Sequence, residues 1–157
     1  MVFSSYTFVL GFLPLLLLVL LALQKQEPNI RTLVLVVASL VFYGWHDWRY
    51  LGLLVGSSVV NFMLGMRIEA ARMRSEADAR VLMILGVSFN LALLGYFKYV
   101  DYFINTANQL VGTEVPLQLI VLPIGISFFT FQQIAYLVDV SRGDRAARVF
   151  LPYLLFL

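Results

Sequence analysis

Residues 6–23, YTFVLGFLPLLLLVLLAL, form an apolar run of eighteen amino acids that contains no charge. A helix of this length nearly matches the hydrocarbon core of a bilayer, which is roughly 30 Å thick. The run ends at Gln24-Lys25-Gln26-Glu27-Pro28, where charge and a proline stop a helix. Because the first residues lack the positive charge of a signal peptide, the run is predicted to remain as a membrane helix.

The composition of the whole chain points the same way. Of its 157 residues, 61% are hydrophobic and 13% are charged, whereas soluble domains carry about 25% charged residues. The basic residues lie between apolar runs and form no patch, so a nucleic-acid surface is not expected. Cysteine is absent, which excludes disulfides, cysteine-ligated zinc and thiol nucleophiles.

Further apolar segments follow at 33–45, 51–66, 81–97 and 117–138, and another begins at 149–157. Residues 33–66 would make a helix of roughly 50 Å, too long for one crossing, and His46-Asp47-Trp48-Arg49 interrupts them. They are therefore divided into two short spans or a re-entrant hairpin, which the sequence leaves open.

The residues between these segments also allow structural predictions. The charged residues 67–80 are expected to form a solvated helical connector. The helix at 81–97 could continue through Lys98 and Asp101 towards Gly112, and Pro123 predicts a kink in segment 117–138. The last nine residues are too short to cross a bilayer. We expect an all-α integral membrane protein: a polytopic bundle of about five transmembrane or re-entrant helices, one domain over 1–157 and incomplete.

Lysine and arginine placement predicts an orientation. If residues 33–66 go in and back, nine basic residues share one side, and Arg49 and Lys98 lie on the other. The positive-inside rule then places the nine in the cytoplasm and the N-terminus outside. If residues 33–66 cross the membrane once, seven basic residues lie on one side and three on the other, which is a weaker contrast.

Few residues suggest a catalytic or ligand-binding role. His46 is the only histidine and is surrounded by aromatic residues, which favours a place in the interfacial aromatic belt over a role as general base. One histidine without cysteine does not make a zinc site, so no metal is expected. Lys98 and Asp101 are spaced to pair on a helix, and snorkelling of the lysine to the interface explains them as well as a functional role does.

Small and polar residues mark two helix faces. Ser58, Asn61 and Gly65 share one face, with Gly52 and Gly56 on the same segment; close helix packing explains them, and Asn61 lining a polar cavity is the alternative. In the segment 122–139, a helix would place Gln132, Tyr136 and Asp139 within about 60° of one another. In lipid this stripe must face the bundle or a water-filled path, so tunnel lining and structural hydrogen bonding both remain open.

Several motifs resemble the membrane-bound O-acyltransferase family, and within it bacterial alginate O-acetyltransferases and their exopolysaccharide relatives. They are Met1-Val2-Phe3-Ser4-Ser5, Phe42-Tyr43-Gly44-Trp45, Gly95-Tyr96-Phe97-Lys98-Tyr99, and the stretch from Pro123-Ile124-Gly125-Ile126-Ser127-Phe128 to Asp139-Val140-Ser141-Arg142-Gly143. The last is the most specific. The resemblance runs through essentially the whole chain in order.

The resemblance implies a multi-pass enzyme of the bacterial inner membrane. Such enzymes pass an acetyl group from a cytoplasmic donor, acetyl-CoA or similar, through a tunnel to a polysaccharide outside, often with a periplasmic acetyltransferase as partner. The family's catalytic histidine lies downstream of the matched region and His46 does not align with it, so no catalytic residue and no bound cofactor are expected. The residues expected on the tunnel side are Ser127, Gln132, Tyr136 and Asp139.

The chain is accordingly expected to be the N-terminal portion of such an enzyme and inactive alone. The alternative is a non-enzymatic membrane subunit or a small transporter, in which the helices contact a partner or a polar solute.

Overall fold

The computed structural model describes residues 7–24, 27–45, 48–112, 116, 123 and 125–157, and side chains from residue 10 onwards except that of Val111. Within these ranges it contains helices and no strand, which confirms the all-helical prediction. A π-helical turn at Thr7–Phe12 precedes six α-helices: α1 Leu13–Ala22, α2 Pro28–Gly44, α3 Trp48–Arg72, α4 Glu76–Val111, α5 Ile126–Arg142 and α6 Phe150–Phe156.

The chain divides into two compact units. The first comprises Met1–Val59 and Ala147–Leu157, and in it α2 packs against α6 and contacts α1. The second comprises Val60–Ala146 and is built from the C-terminal half of α3 together with α4 and α5. The single domain over 1–157 stays a prediction.

The ends of α4 follow local sequence signals. Ser75 caps its N-terminus by accepting a hydrogen bond on Oγ from the Asp78 N–H at 3.3 Å. Glu76 and Asp78 also place negative charge in the first turn, where the helix dipole favours it. Gly112 ends the helix with a φ of +70°. The helix has 36 residues and is about 54 Å long, so the predicted continuation past Lys98 and Asp101 is confirmed.

The helical connector expected at residues 67–80 is helical at both ends and is interrupted by a turn. Helix α3 ends at Arg72 and α4 begins at Glu76, with a turn between them. The cause is local, because Ser75 adopts extended backbone dihedrals, which turns the chain into a new helix. The expected exposure holds in part: Arg74, Glu76 and Asp78 are exposed, whereas Ala79 is buried.

The kink expected at Pro123 stays a prediction, because the residues on both sides of it are not described. Helix α5 begins at Ile126, and Pro123 lies before it, outside the helix. Gly125 has a φ of +74° and accepts the Phe129 N–H at 3.0 Å, so it starts this helix. Residues 117–122, the first part of the predicted segment, lie outside the described residues.

Two helices in the described ranges are long and apolar enough to cross a membrane: Trp48–Arg72 and Glu76–Leu110. Leu10–Ala22 and Pro28–Gly44 are shorter apolar helices. Helices α2 and α3 are separate, as the division of residues 33–66 predicts, and His46 and Asp47 between them are not described.

Candidate functional site

Helices α3, α4 and α5 approach one another closely in the second unit. A Cβ atom added at Gly65 of α3 would collide with the ring of Tyr136, and one at Gly86 of α4 would lie 2.5 Å from Leu137 Cδ1. Both glycines therefore let a side chain of α5 reach the neighbouring backbone. The apolar core around them consists of Ile68, Ala79, Leu137, Val140 and Ala146.

Three amide side chains lie within this close packing, one from each helix. Asn61 of α3, Asn90 of α4 and Gln133 of α5 have exposed fractions of 0%, 1% and 0%. Asn61 and Asn90 form a reciprocal pair: Asn61 Nδ2 donates to Asn90 Oδ1 at 3.1 Å, and Asn90 Nδ2 donates to Asn61 Oδ1 at 2.6 Å. Asn61 Nδ2 also donates to Gln133 Oε1 at 3.0 Å. We call these three residues the amide cluster.

The positions of the amides follow from the glycines. Asn61 precedes Gly65 by four residues and Asn90 follows Gly86 by four, so each amide lies one turn from a glycine on the same helix face. Close backbones allow these short side chains to meet. Asn90 Nδ2 also donates to the Gly86 carbonyl at 2.8 Å.

Two of these residues donate both of their amide hydrogens. An asparagine amide offers two hydrogens. Asn61 donates to Asn90 and Gln133, while Asn90 donates to Asn61 and the Gly86 carbonyl. Two neighbouring atoms differ: Thr130 Oγ1 and Gln132 Oε1 are buried and have no hydrogen-bond partner among the described residues.

The predicted tunnel-side residues do not all share one side of α5. Gln132, Tyr136 and Asp139 form one stripe, and Ser127 lies about 120–180° from them around the helix. Ser127, Gln132 and Tyr136 are half-buried and Asp139 is exposed. With 100° per residue, the predicted stripe is centred about 90° around α5 from Gln133. It therefore lies at the edge of the buried face, and within it Tyr136 packs on Gly65. Their role in a tunnel stays a prediction.

The other residues selected from the sequence have different surroundings. Close packing is found at Gly65, while no atom of the described residues lies within 4 Å of the Cβ positions of Gly52 and Gly56. Lys98 is exposed and its Nζ lies 5.3 Å from the centroid of the Tyr99 ring. His46 lies outside the described residues. Sequence reasoning missed Asn90 and Gln133, although a lone amide in an apolar run was a signal for Asn90.

Arg72 links the end of α3 to the end of α5 in this unit. Its Nη1 donates to the Val140 carbonyl at 2.6 Å and to the Asp144 carbonyl at 3.4 Å. A guanidinium is thus bound to carbonyls at the C-terminal end of α5, where the helix dipole favours positive charge. The last turn of α3 is tied in this way to the end of α5.

The chemistry of the site is that of neutral hydrogen bonds. No group of three His, Cys, Asp or Glu side chains that could hold a metal occurs in the part of the chain that the structure describes. Amide side chains do not titrate near neutral pH, so the cluster can hold helices in position by hydrogen bonds but cannot act as acid or base.

Comparison with known proteins shows what the chain is similar to. It is 43% identical over 152 residues to a protein of Pseudomonas aeruginosa and to one of Azotobacter vinelandii, both named "probable alginate O-acetylase". It is 40% identical over 147 residues to a protein of Helicobacter pylori named "peptidoglycan O-acetyltransferase". These alignments cover 94%, 94% and 92% of the chain.

The same alignments cover only 28%, 30% and 28% of the three relatives, so the chain spans less than a third of their length. No model of a protein family matches the chain, and no solved structure matches it. Identity of 40–43% over nearly the whole chain confirms the resemblance that its motifs indicate: the chain is similar to bacterial O-acetyltransferases of the membrane-bound O-acyltransferase type.

Proposed function

We propose that the chain is part of a membrane O-acetyltransferase that transfers acetyl groups to an exported polysaccharide such as alginate. The observation that carries this proposal is the 40–43% identity to proteins named for that activity on alginate or peptidoglycan. Since the chain spans less than a third of those proteins, the activity is assigned to the whole protein, and these residues supply part of its helical frame.

Membrane insertion is part of the same proposal. Besides the two long apolar helices, large apolar side chains face outward: Leu15 and Leu18 are 63% and 64% exposed, and Leu85 is 58% exposed. Exposed leucines along whole helices are unfavourable in water and suit a lipid environment. We place the protein in the bacterial inner membrane as a multi-pass protein, with the N-terminus outside.

The amide cluster is neutral, and Asp139 is exposed. We assign an acetyl donor such as acetyl-CoA, and a periplasmic acetyltransferase as partner, to the whole protein. We expect the 157-residue chain alone to transfer no acetyl group.

Complementation tests the proposal. The complete gene is introduced into Pseudomonas aeruginosa that lacks its own relative, and ester-linked acetyl is measured on exported alginate and on peptidoglycan. We expect the complete gene to restore acetyl esters on alginate and the 157-residue chain to restore none. A complete protein that accumulates in the membrane and acetylates neither polymer would overturn the proposal and favour a non-enzymatic subunit or transporter.

The orientation has a separate test, made possible because this chain contains no cysteine. In a cysteine-free background, Gln109→Cys and Arg74→Cys place one thiol near each end of α4, and both positions are exposed. A membrane-impermeant maleimide added to intact spheroplasts is expected to label Gln109→Cys, and Arg74→Cys only after permeabilisation. The reverse pattern would contradict the proposed orientation of α4.

A further inference from the structure

The second half of α4 exposes three tyrosines at regular spacing. Tyr96, Tyr99 and Tyr102 are 53%, 43% and 65% exposed. Residues three apart on a helix are separated by about 4.5 Å along the axis and about 60° around it. The three rings therefore follow a spiral that turns by about 120° around the helix from Tyr96 to Tyr102. We call these three residues, together with Lys98, the tyrosine surface.

Lys98 adds a positive charge to this surface. Its side chain is exposed, and its ammonium lies 5.3 Å from the centroid of the Tyr99 ring, a cation–π distance. Among the described residues, the Tyr99 ring is the group that lies against the ammonium. An ammonium held over an aromatic ring remains open on its other sides to a negatively charged group.

The length of α4 places the surface at the edge of the membrane. Residues 81–97 account for about 25 Å of helix, close to the hydrocarbon thickness, and residues 98–111 extend about 21 Å further. In the proposed orientation this end lies outside the cell membrane. An interfacial aromatic belt explains Tyr96 and Tyr99, but the helix continues past them, and Tyr102 is the most exposed of the three.

Tyr99, Tyr102 and Lys98 lie within about 100° of one another around α4, and two aromatic rings beside a cation fit a particular ligand. Tyrosine rings offer flat apolar faces for the C–H faces of sugar rings, and their hydroxyls hydrogen-bond to sugar hydroxyls. Successive aromatic side chains bind repeating polymers by stacking, as they do with nucleic-acid bases. An ammonium pairs with carboxylates, which a polymer of uronic acids carries on every unit.

We infer that the tyrosine surface binds the acceptor, an acidic polysaccharide chain that carries uronic acid carboxylates, at the outer face of the membrane. The inference rests on the proposed function and its orientation. Each ring stacks on a sugar of the chain, and Lys98 selects for carboxylated units. These are binding residues and take no part in the transfer step.

The test measures binding to the complete protein in nanodiscs. A labelled alginate oligosaccharide is titrated and its Kd is read from fluorescence anisotropy, in parallel with the carboxyl-reduced form of the same oligosaccharide. We expect Tyr99→Leu and Tyr102→Leu each to raise the Kd at least about fivefold, as loss of one stacking platform does. Tyr102→Phe keeps the ring and should have a smaller effect. Lys98→Gln should weaken binding of the carboxylated oligosaccharide only.

Phe89→Leu is the matched control, because Phe89 is a 39% exposed aromatic residue of the same helix within the apolar segment. Its Kd should equal that of the wild type. Equal Kd values for the wild type and all tyrosine and Lys98 variants, or no binding by the wild type, would overturn the inference. So would variants that lose membrane retention with an unchanged Kd, which would assign these residues to lipid. Acetyl esters in the complementation assay report separately on the proposed function.

Discussion

Removing one member of the amide cluster should destabilise the protein by an amount that the hydrogen-bond pattern predicts. Among the described residues, Asn61→Ala deletes two donated side-chain bonds and one accepted bond, all among fully buried groups. A buried hydrogen bond contributes about 0.5–1.5 kcal/mol in soluble proteins and about 0.6 kcal/mol on average between membrane helices. Three bonds then predict a loss of about 2–4 kcal/mol in the free energy of unfolding.

The pattern also predicts how this energy is shared. Two bonds join Asn61 to Asn90, and one joins Asn61 to Gln133. In double-mutant cycles made with alanine, the coupling energy of the Asn61–Asn90 pair should be about twice that of the Asn61–Gln133 pair. Values of about 1–3 and about 0.5–1.5 kcal/mol follow from the same energy per bond.

Unfolding of the purified protein in mixed micelles, with increasing dodecyl sulfate, measures these free energies. Asn105→Ala is the matched control, because Asn105 is an exposed asparagine of α4, and it should shift stability by no more than about 0.5 kcal/mol. A coupling energy for Asn61–Gln133 that equals or exceeds the one for Asn61–Asn90 would refute the hydrogen-bond account. Coupling energies near zero for both pairs would do the same.

Three further predictions concern the packing and ends of these helices. Gly65→Ala should lower the melting temperature because the new Cβ meets the Tyr136 ring, at a cost of about 1–3 kcal/mol; Gly52→Ala, in open space on the same helix, should raise it. The Gly143 and Asp144 amides donate to the Asp139 carbonyl, next to the Val140 carbonyl that Arg72 binds. Arg72→Gln should therefore speed hydrogen exchange at these two amides. Arg74→Gln, at an exposed arginine, should not. Ser75→Ala should cost about 0.5–2 kcal/mol by removing the α4 cap, and Ser75→Asp, which can replace that cap, should restore stability in the same unfolding assay.

Local signals made the helix boundaries partly predictable. The end of the first apolar run and the extension of α4 to Gly112 depend on residues at those positions, such as charge, proline and glycine. The break at Ser75 was missed although its serine followed three residues later by Asp78 is an N-cap pattern. Alanine and arginine around it favour helix, and that propensity masked the cap.

The orientation of α5 could not be predicted from its sequence. Two adjacent glutamines, Gln132 and Gln133, differ by 100° around the helix, and the buried one is Gln133. Apolar residues surround the helix on all sides: Phe129 is buried while Phe128 is 65% exposed. Without a polar face opposite an apolar one, periodicity does not show which side meets its neighbours. That depends on Gly65 and Gly86 of other helices, through contacts distant in sequence.

The amide cluster is better suited to holding helices together than to receiving a ligand. Asn90 lies at the middle of the apolar segment 81–97, and in the proposed membrane orientation this is the depth at which an unpaired amide is most costly. Asn61 donates both amide hydrogens within the cluster, and Asn90 donates one to Asn61 and one to the Gly86 carbonyl, so neither has a donor to offer a substrate. Unused capacity lies one residue from Gln133, at Gln132 Oε1, which is buried without a partner among the described residues. If α5 lines an acyl path, Gln132 is therefore the residue that tests it. Gln132→Leu should change the rate of acetyl transfer by the complete enzyme and leave the free energy of unfolding unaffected. Gln133→Leu should change both the transfer rate and the free energy of unfolding.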